Sequence, residues 1–328
     1  PMNSLSPYYH EHDWGPMEKP DEEWGDIQAI EWAKGFLQRP QDRPFFLALG
    51  TFRPHIPWYA PLRFFDRYPL RTVHTPAVFD SDLEGIPKSG LRMAEFSRNE
   101  FEKMVAGDQW EAAVQAYLAC ISFADEMIGT VIGALDSSNY ADNTTIIFYS
   151  DNGYHLGEKK HFTKCTLWER STHVPFIVVP PRSENSANET VSWRPFATDE
   201  PTSLQDIYPT VLDICGLEAP EPGIDGASVL PSITDPLRTH NRGVVTTYLR
   251  GNHAVRLHDW RYIRYADGGE ELYHTSEDPD ERNNLIADAG YATMIDELQN
   301  LLPVDDAKEV RSKSEFSFDY DSYTWQPA

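Results

Sequence analysis

The sequence has 328 residues, 40 % of them hydrophobic and 12 % aromatic, with 28 Lys plus Arg against 52 Asp plus Glu and a formal net charge of −24. This composition excludes a largely disordered chain, and the acidity argues against nucleic acid as a partner, because phosphate binding needs a basic face. No apolar run reaches the ~18 residues of a membrane span, and Cys120, Cys165 and Cys215 match no zinc or Cys-x-x-Cys spacing, leaving room for one disulfide but no disulfide framework.

Residues 1–25 are rich in Pro, Trp, Asp and Glu and predict an irregular surface segment. The stretch 26–38 places Ile27, Ile30, Ala33 and Leu37 at helical spacing. The continuous apolar run "PFFLALGTF" at 44–52 predicts a strand buried on both faces, and the prolines of "RPHIPWYAP" then enforce an extended loop. Residues 69–100 carry many Pro, Gly, Asp and Ser, which predicts an excursion rather than core. A long amphipathic helix is expected over 110–136, interrupted as a membrane span by Cys120, Ser122, Asp125 and Glu126. Two more buried strands are expected near 144–150 and 173–181, and a helix over 203–217 with Gly216 as its stop.

Past about residue 240 the segments are short and alternating, with turn residues at Asp267-Gly268-Gly269, and "YATMIDELQNLL" closes them as a helix. The expected fold class is α/β, a mixed central sheet flanked by helices, over residues 1–238. A small C-terminal α+β subdomain, an antiparallel sheet plus a helix, is expected over 239–328.

In open α/β sheets function collects at the carboxyl ends of strands. Two such ends stand out, Arg53-Pro54-His55 and Asp151-Asn152, with His155, His161 and Lys164 just beyond the second. Asp151 and Asn152 offer a carboxylate and an amide oxygen, suited to Ca²⁺ or Mg²⁺, yet Asp-Asn-Gly is equally good turn chemistry, with Gly153 there to permit positive φ. Lys164 could hold an anionic oxygen as a point charge and a histidine could donate or transfer a proton. Lys159 and Lys160 read as a solvated loop, and His55 could equally be a packed loop histidine.

The strings "PFFLALGTFRPHIPWYAPLRFFDRYP", "AYLACISFADEMIGTVIGALD", "TTIIFYSDNGYHLGEKKHFTKCTLWERSTHVPFIVVPP" and "WRYIRYADGGEELYHTSEDPDERNNL" together resemble the type I sulfatases, in the branch that contains iduronate-2-sulfatase and its bacterial relatives. The resemblance runs in order from about residue 13 to 285 and implies the alkaline-phosphatase-like fold. It implies hydrolysis of a sulfate ester on a sulfated oligosaccharide or polysaccharide. Asp151 and Asn152 would hold Ca²⁺ (Mg²⁺ as the alternative), and Lys164 and His55 would be catalytic at the sulfate. Arg53, Trp58, Tyr59, His155 and His161 would shape the substrate pocket. Many relatives in this branch have His where this chain has Asn152; Asn is common in other sulfatases, so the resemblance still implies metal binding there.

The family's formylglycine nucleophile arises in a Cys/Ser-x-Pro-x-Arg motif, and none occurs in these 328 residues; the paired aspartates of the metal site are not found either. The expectation is therefore a C-terminal portion whose partner is the N-terminal sulfatase segment, and which is inactive alone. The alternatives are a phosphate or phosphonate ester hydrolase of the same superfamily and a non-catalytic glycan-binding pseudoenzyme. Family membership implies a periplasmic or extracellular protein if bacterial, and a lysosomal or secreted one if eukaryotic. Asn143 and Asn188 stand in glycosylation sequons, Asn188 in the more polar loop.

Overall fold

The computed structural model describes residues 13–182, 196–220, 223–235, 242–306, 316–319 and 324–327; the sequon at Asn188 lies outside them. Its first part comprises β1 (Trp14–Pro16), α1 (Gly25–Leu37), β2 (Trp58–Ala60), α2 (Leu62–Phe65), α3 (Lys88–Glu95), α4 (Arg98–Ala106) and α5 (Trp110–Asp136). There follow β3 (Ile146–Tyr149), α6 (Glu169–Thr172), β4 (Phe176–Val179), α7 (Ile207–Ile214) and α8 (Leu230–Thr234). The C-terminal part holds β5 (Val244–Thr247), β6 (His253–Leu257), β7 (Trp260–Arg264), β8 (Glu270–His274), α9 (Ala292–Gln299), β9 (Phe316–Asp319) and β10 (Thr324–Pro327).

Helix α5 is the spine of the main core. Ala113, Ala116, Ala119, Cys120, Phe123, Ala124 and Met127 are buried along one stripe, and the small residues among them let neighbouring elements come close. Trp24, at the N-cap of α1, meets Phe123 edge to face and Phe64 of α2 meets it tilted, each at 5.1 Å, and Trp58 of β2 meets Tyr117, Tyr154 and Phe162 at 5.3–5.6 Å. By length and apolar composition α5 could cross a membrane, contrary to the sequence expectation; in this fold it packs against α1, α2 and β2 as a core helix. The N-terminal stretch also differs from expectation: β1 pairs in parallel with β2, and Asp13, Trp14 and Trp24 are buried.

The three apolar runs expected as buried strands behave differently. β3 and β4 form an antiparallel pair in register Ile146 to Val179, but none of their residues is fully buried. Residues 44–50 belong to no strand and pair with none. Conversely, 69–100 is no mere excursion: Ile86, Met93 and Ala94 are buried against Leu167, Trp168, Ala254, Ile263, Tyr265 and Tyr273. The three cysteines are all free.

Strands β5 to β8 form one antiparallel sheet in sequence order. Successive residues face opposite sides of a strand, and here both sides are used. Val255, Leu257, Tyr262 and Leu272 pack with Leu298 of α9, while Ala254, Ile263 and Tyr273 face the Trp168 cluster. Buried polar groups then join the two parts. Arg261 donates to the Leu167 carbonyl at 3.0 Å and pairs with Glu169 and with Glu281, the latter at 2.8 Å; Glu271 accepts from Trp168 Nε1 at 2.8 Å and from Tyr265 and Tyr273 at 2.6 and 2.5 Å. The Arg261 and His173 partners hold the Glu169 carboxyl far below the usual range despite its burial.

Burial pushes the Glu281 carboxyl up to about 7, against the pull of Arg261 and Lys159. Its folded value lies above the ordinary 4.5, so the native state keeps a proton that the unfolded chain releases between those two values. The stabilisation from Glu281 is therefore full at low pH and is lost as pH rises through about 7. Glu281→Gln removes this component, worth at most ~1.4 kcal/mol per pH unit. Melting curves from pH 4.5 to 7.5 are expected to rise more steeply, or fall less, with pH in the variant than in the parent.

Candidate active site at the end of β3

Strand β3 ends at Tyr149 and the chain turns sharply through Ser150-Asp151-Asn152-Gly153. The turn is docked on the backbone of α6: Gly153 N–H donates to Ser171 O at 2.9 Å, and Ser150 N–H donates to Pro175 O at 3.2 Å. A Cβ at position 153 would stand 2.1 Å from the Arg170 carbonyl oxygen. The glycine serves this close approach, because 153 is not among the residues with positive φ, contrary to the sequence reading. Ser150 Oγ closes the turn on Asn152 O at 3.0 Å. Asp151 is thereby exposed and Asn152 half-buried at the strand end.

The loop from 154 to 165 folds back over this turn. His155 N–H donates to Thr163 O and Gly157 N–H to His161 O, each at 3.0 Å. Lys159, Lys160 and Cys165 all adopt left-handed backbone, with φ of 57°, 53° and 74°. For non-glycine residues that costs on the order of 1–3 kcal/mol each, so the surroundings must impose it. Lys159 does so in part. Instead of lying in solvent as expected, it is buried, with Nζ donating to the carbonyls of Asp82 and Glu281 and lying 5.5 Å from the Trp168 ring. Lys160 pairs with Asp80 at 3.0 Å.

His155 and His161, expected to line the substrate pocket, are instead buried beneath it, their rings edge to face at 5.2 Å. Carbonyls can only accept, which fixes the tautomer of His155. His155 Nδ1–H donates to Glu158 O at 3.2 Å and Nε2 faces the Thr166 hydroxyl at 2.9 Å. His161 Nε2 lies 3.0 Å from Lys164 O, and its Nδ1 lies 3.0 Å from Ser97 Oγ and 3.1 Å from Ala94 O, so both ring nitrogens face a carbonyl. Burial holds both imidazoles below their ordinary range, His155 the further, with the neighbouring His161 adding to its shift. Burial thus disfavours the cationic form of both, and of His155 above all. Their work is to position: His161 pins the backbone of Lys164.

From that anchor the Lys164 side chain reaches across the turn, and Nζ donates to Asn152 Oδ1 at 3.1 Å. Lys164 and Asn152, both singled out in the sequence, thus meet. The other strand end is built differently. Arg53 is tied down rather than free, with Nε donating to Tyr59 O at 2.8 Å, a guanidinium nitrogen 3.6 Å from Asp26, and Trp24 beneath the plane. His55 lies exposed between the cis bonds Arg53–Pro54 and Ile56–Pro57; its Nδ1–H donates to Ile56 O at 2.5 Å, leaving Nε2 facing outward. Trp58 is in the core and Tyr59 is bonded to Asp13.

One neighbour of the site carried no readable signal in the sequence. Tyr248, at the tip of the β5–β6 hairpin, comes close to Cys165, next to Lys164. Asn252 staples that tip by donating to the carbonyls of Tyr248 and Arg250 and accepting from Ala266 N–H. Exposed Arg250 stands on the backbone that Asn252 holds.

Asp151 and Asn152 are oxygen donors of the kind a hard cation takes, but Ca²⁺ needs six to eight oxygens. Among the described residues no three His, Cys, Asp or Glu side chains gather to hold a metal. The donors fit in type and fall short in number: by themselves they make part of a cation site, not a whole one.

Comparison with known proteins settles the lineage. A family model described as "Sulfatase" matches residues 2–217, and one described as "N-sulphoglucosamine sulphohydrolase, C-terminal" matches 157–308. The chain belongs to the sulfatase family. It is 36 % identical over 317 residues to a sulfatase of Formosa agariphila, covering 96 % of this chain and 59 % of that one. It is 29 % identical to arylsulfatase K of Bos taurus, covering 79 % and 51 %. Sulfatases of this set are thus matched over little more than half of their length. Among solved structures, the phosphonate monoester hydrolase of Agrobacterium radiobacter superposes with a TM-score of 0.70 at 20 % identity, over 97 % of this chain and 68 % of that one. A structure in complex with its substrate D-glucosamine-2-N,6-O-disulfate gives 0.64 at 21 %, over 84 % and 68 %. The fold is accordingly the alkaline-phosphatase-like one, with the antiparallel C-terminal sheet beside it.

The docking of the turn on α6 predicts a strong asymmetry between glycines. Gly153→Ala is expected to cost about 1–3 kcal/mol, as overpacking does. Gly129→Ala on α5, where nothing lies within 4 Å of the new Cβ, should stabilise by up to ~1 kcal/mol. Thermal melts of the two variants check this.

Proposed function

We propose that this chain carries the sulfate-holding half of a sulfatase that removes sulfate from a sulfated carbohydrate. The formylglycine nucleophile and the remaining metal ligands would come from sulfatase sequence outside these 328 residues. The observation that carries the reading is the meeting of Lys164 Nζ with Asn152 Oδ1 at 3.1 Å, at the strand end where the family resemblance puts the sulfate. Family membership supports sulfate ester chemistry. The carbohydrate is supported by a structural relative whose described substrate is a disulfated glucosamine. An exported or lysosomal location goes with the same reading.

The roles follow from charge. As the S–O bond of a sulfate ester breaks, negative charge moves onto the leaving oxygen. The Lys164 ammonium, held by its backbone to His161, is placed to neutralise that charge or the non-bridging oxygens without reorganising. Asn152 orients the ammonium by accepting one of its three N–H groups. His55, with Nδ1–H committed to Ile56 O, offers Nε2 for holding or giving a proton at the leaving group. A divalent cation, when bound, would supply further neutralisation of the sulfate, with Asp151 and Asn152 as two of its ligands.

Two measurements test this. In the natural protein, Lys164→Ala is expected to lower kcat/KM for an aryl sulfate by about 10²–10³-fold, as loss of one preorganised donor does; a change under threefold would refute the role. For these 328 residues alone, no aryl sulfate turnover and only weak Ca²⁺ binding are expected, the latter weakened further by Asp151→Asn in a calorimetric titration. Rapid hydrolysis by the isolated chain would overturn the division of the site.

A further inference from the structure

Behind the candidate site, separate elements converge on one buried carboxylate. Glu281 follows β8 in a tight turn, where its N–H donates to Asp278 O at 3.0 Å and its backbone is left-handed, with φ of 55°. A non-glycine residue adopts that conformation only under constraint. The side chain is buried, and Oε2 accepts from the N–H of Glu169, the first residue of α6, at 2.8 Å. The backbone carbonyl of Glu281 accepts from the Lys159 ammonium. Arg261 Nε of β7 lies 2.8 Å from Oε1, yet among the described residues neither of these two atoms makes a hydrogen bond. The Glu169 amide is therefore the donor that orients the carboxylate.

Each bond leads to one half of the site. Helix α6 is the seat of the strand-end turn, through Gly153 N–H on Ser171 O and the close approach of residue 153 to the Arg170 carbonyl. Lys159 belongs to the loop that ends at Lys164 and is strapped by His155 N–H on Thr163 O and Gly157 N–H on His161 O. The Lys164–Asn152 contact of 3.1 Å spans these two pieces. We propose that Glu281 is a positioning residue of the sulfate-holding site, a clamp that fixes the Asn152 turn and the Lys164 loop against each other. The proposal rests on the role assigned above to Lys164 and Asn152. A cation that neutralises developing charge must be placed in advance, and a misplacement of ~1 Å can cost ~10²-fold in rate.

The clamp also titrates. Burial lifts the Glu281 carboxyl to about 7. Facing it are Arg261 and Tyr265 from the β7 side, Glu169 of α6, Lys159 of the loop, Arg256 of β6 and Tyr273 of β8. On its own turn Asp280 and Arg282 pair with each other at 2.8 Å. Opening the clamp to water returns the carboxyl toward its ordinary 4.5, so the closed arrangement is favoured in acid and loses that advantage as pH rises through about 7.

The test uses the natural protein with isotope-labelled glycine amides. Gly153 reports the turn, Gly157 the loop, and Gly129 on α5 is the reference. The Gly153 and Gly157 resonances are expected to move together with pH, with a midpoint of about 7, while Gly129 stays in place. In Glu281→Gln the shared step should vanish, because glutamine accepts the Glu169 amide but does not titrate. In aryl sulfate hydrolysis at mildly acidic pH, Glu281→Ala is expected to lower kcat/KM by about 10–100-fold. Glu281→Gln should recover most of that loss. A residue that only stabilises the fold would shift the melting temperature without the shared step or the rescue. Absence of a step near 7, a step that persists in Glu281→Gln, or an alanine variant within about threefold of the parent would overturn the clamp. Failure of the sulfatase reading would show instead as absent turnover in the parent, and the glycine resonances would still decide the clamp.

Discussion

The candidate site depends on one backbone approach. The Arg170 carbonyl comes so near residue 153 that no side chain fits there, and this contact seats the strand-end turn on α6. With the turn fixed, Asp151 faces outward and Asn152 turns its amide oxygen toward the lysine. The loop that brings Lys164 is fixed by the same logic. Buried polar groups each need a partner, and His155, His161, Ser97 and Thr166 supply one another and the loop backbone. Three left-handed non-glycine residues are the strain held by that network.

The same loop is also gripped from the C-terminal part. Lys159 donates to Glu281 O and lies near the Tyr273 ring, while Arg261 bonds to Leu167 O and pairs with Glu169 and Glu281. The small antiparallel sheet therefore stabilises the lysine loop from behind, and its hairpin tip comes close to Cys165 at the front. This joint explains why a basic stretch can persist in a strongly acidic chain. Lys159 and Lys160 are spent on internal partners, which leaves Lys164 as the cation at the turn.

Much of this was legible in the residues. The helical stripes of α1 and α5, the β3 and β4 strands and the turns of the C-terminal sheet all follow from spacing and turn chemistry. The pairing of Asn152 with Lys164 was within reach because both belong to one long recognisable stretch. What failed had a physical reason. A continuous apolar run signals a strand that wants cover on both faces, but it cannot say where that cover comes from; 44–52 and the β3–β4 pair are left open. Histidines near a lysine look like ligands in sequence, whereas here burial disfavours their charge and both His155 and His161 serve to hold the loop backbone. Gly153 was read as a freedom of φ when the need was room.

The central claim is that the Lys164–Asn152 strand end recognises a sulfate ester rather than a related anion, on a fold also found in a phosphonate monoester hydrolase. The most direct measurement is a set of initial rates for the natural protein on matched aryl sulfate, aryl phosphate and aryl phosphonate esters at equal concentration. The account predicts that the sulfate ester is hydrolysed fastest, with kcat/KM at least tenfold above the others. Preferred hydrolysis of the phosphate or phosphonate ester, or binding of a sulfated oligosaccharide without turnover of any ester, would contradict it.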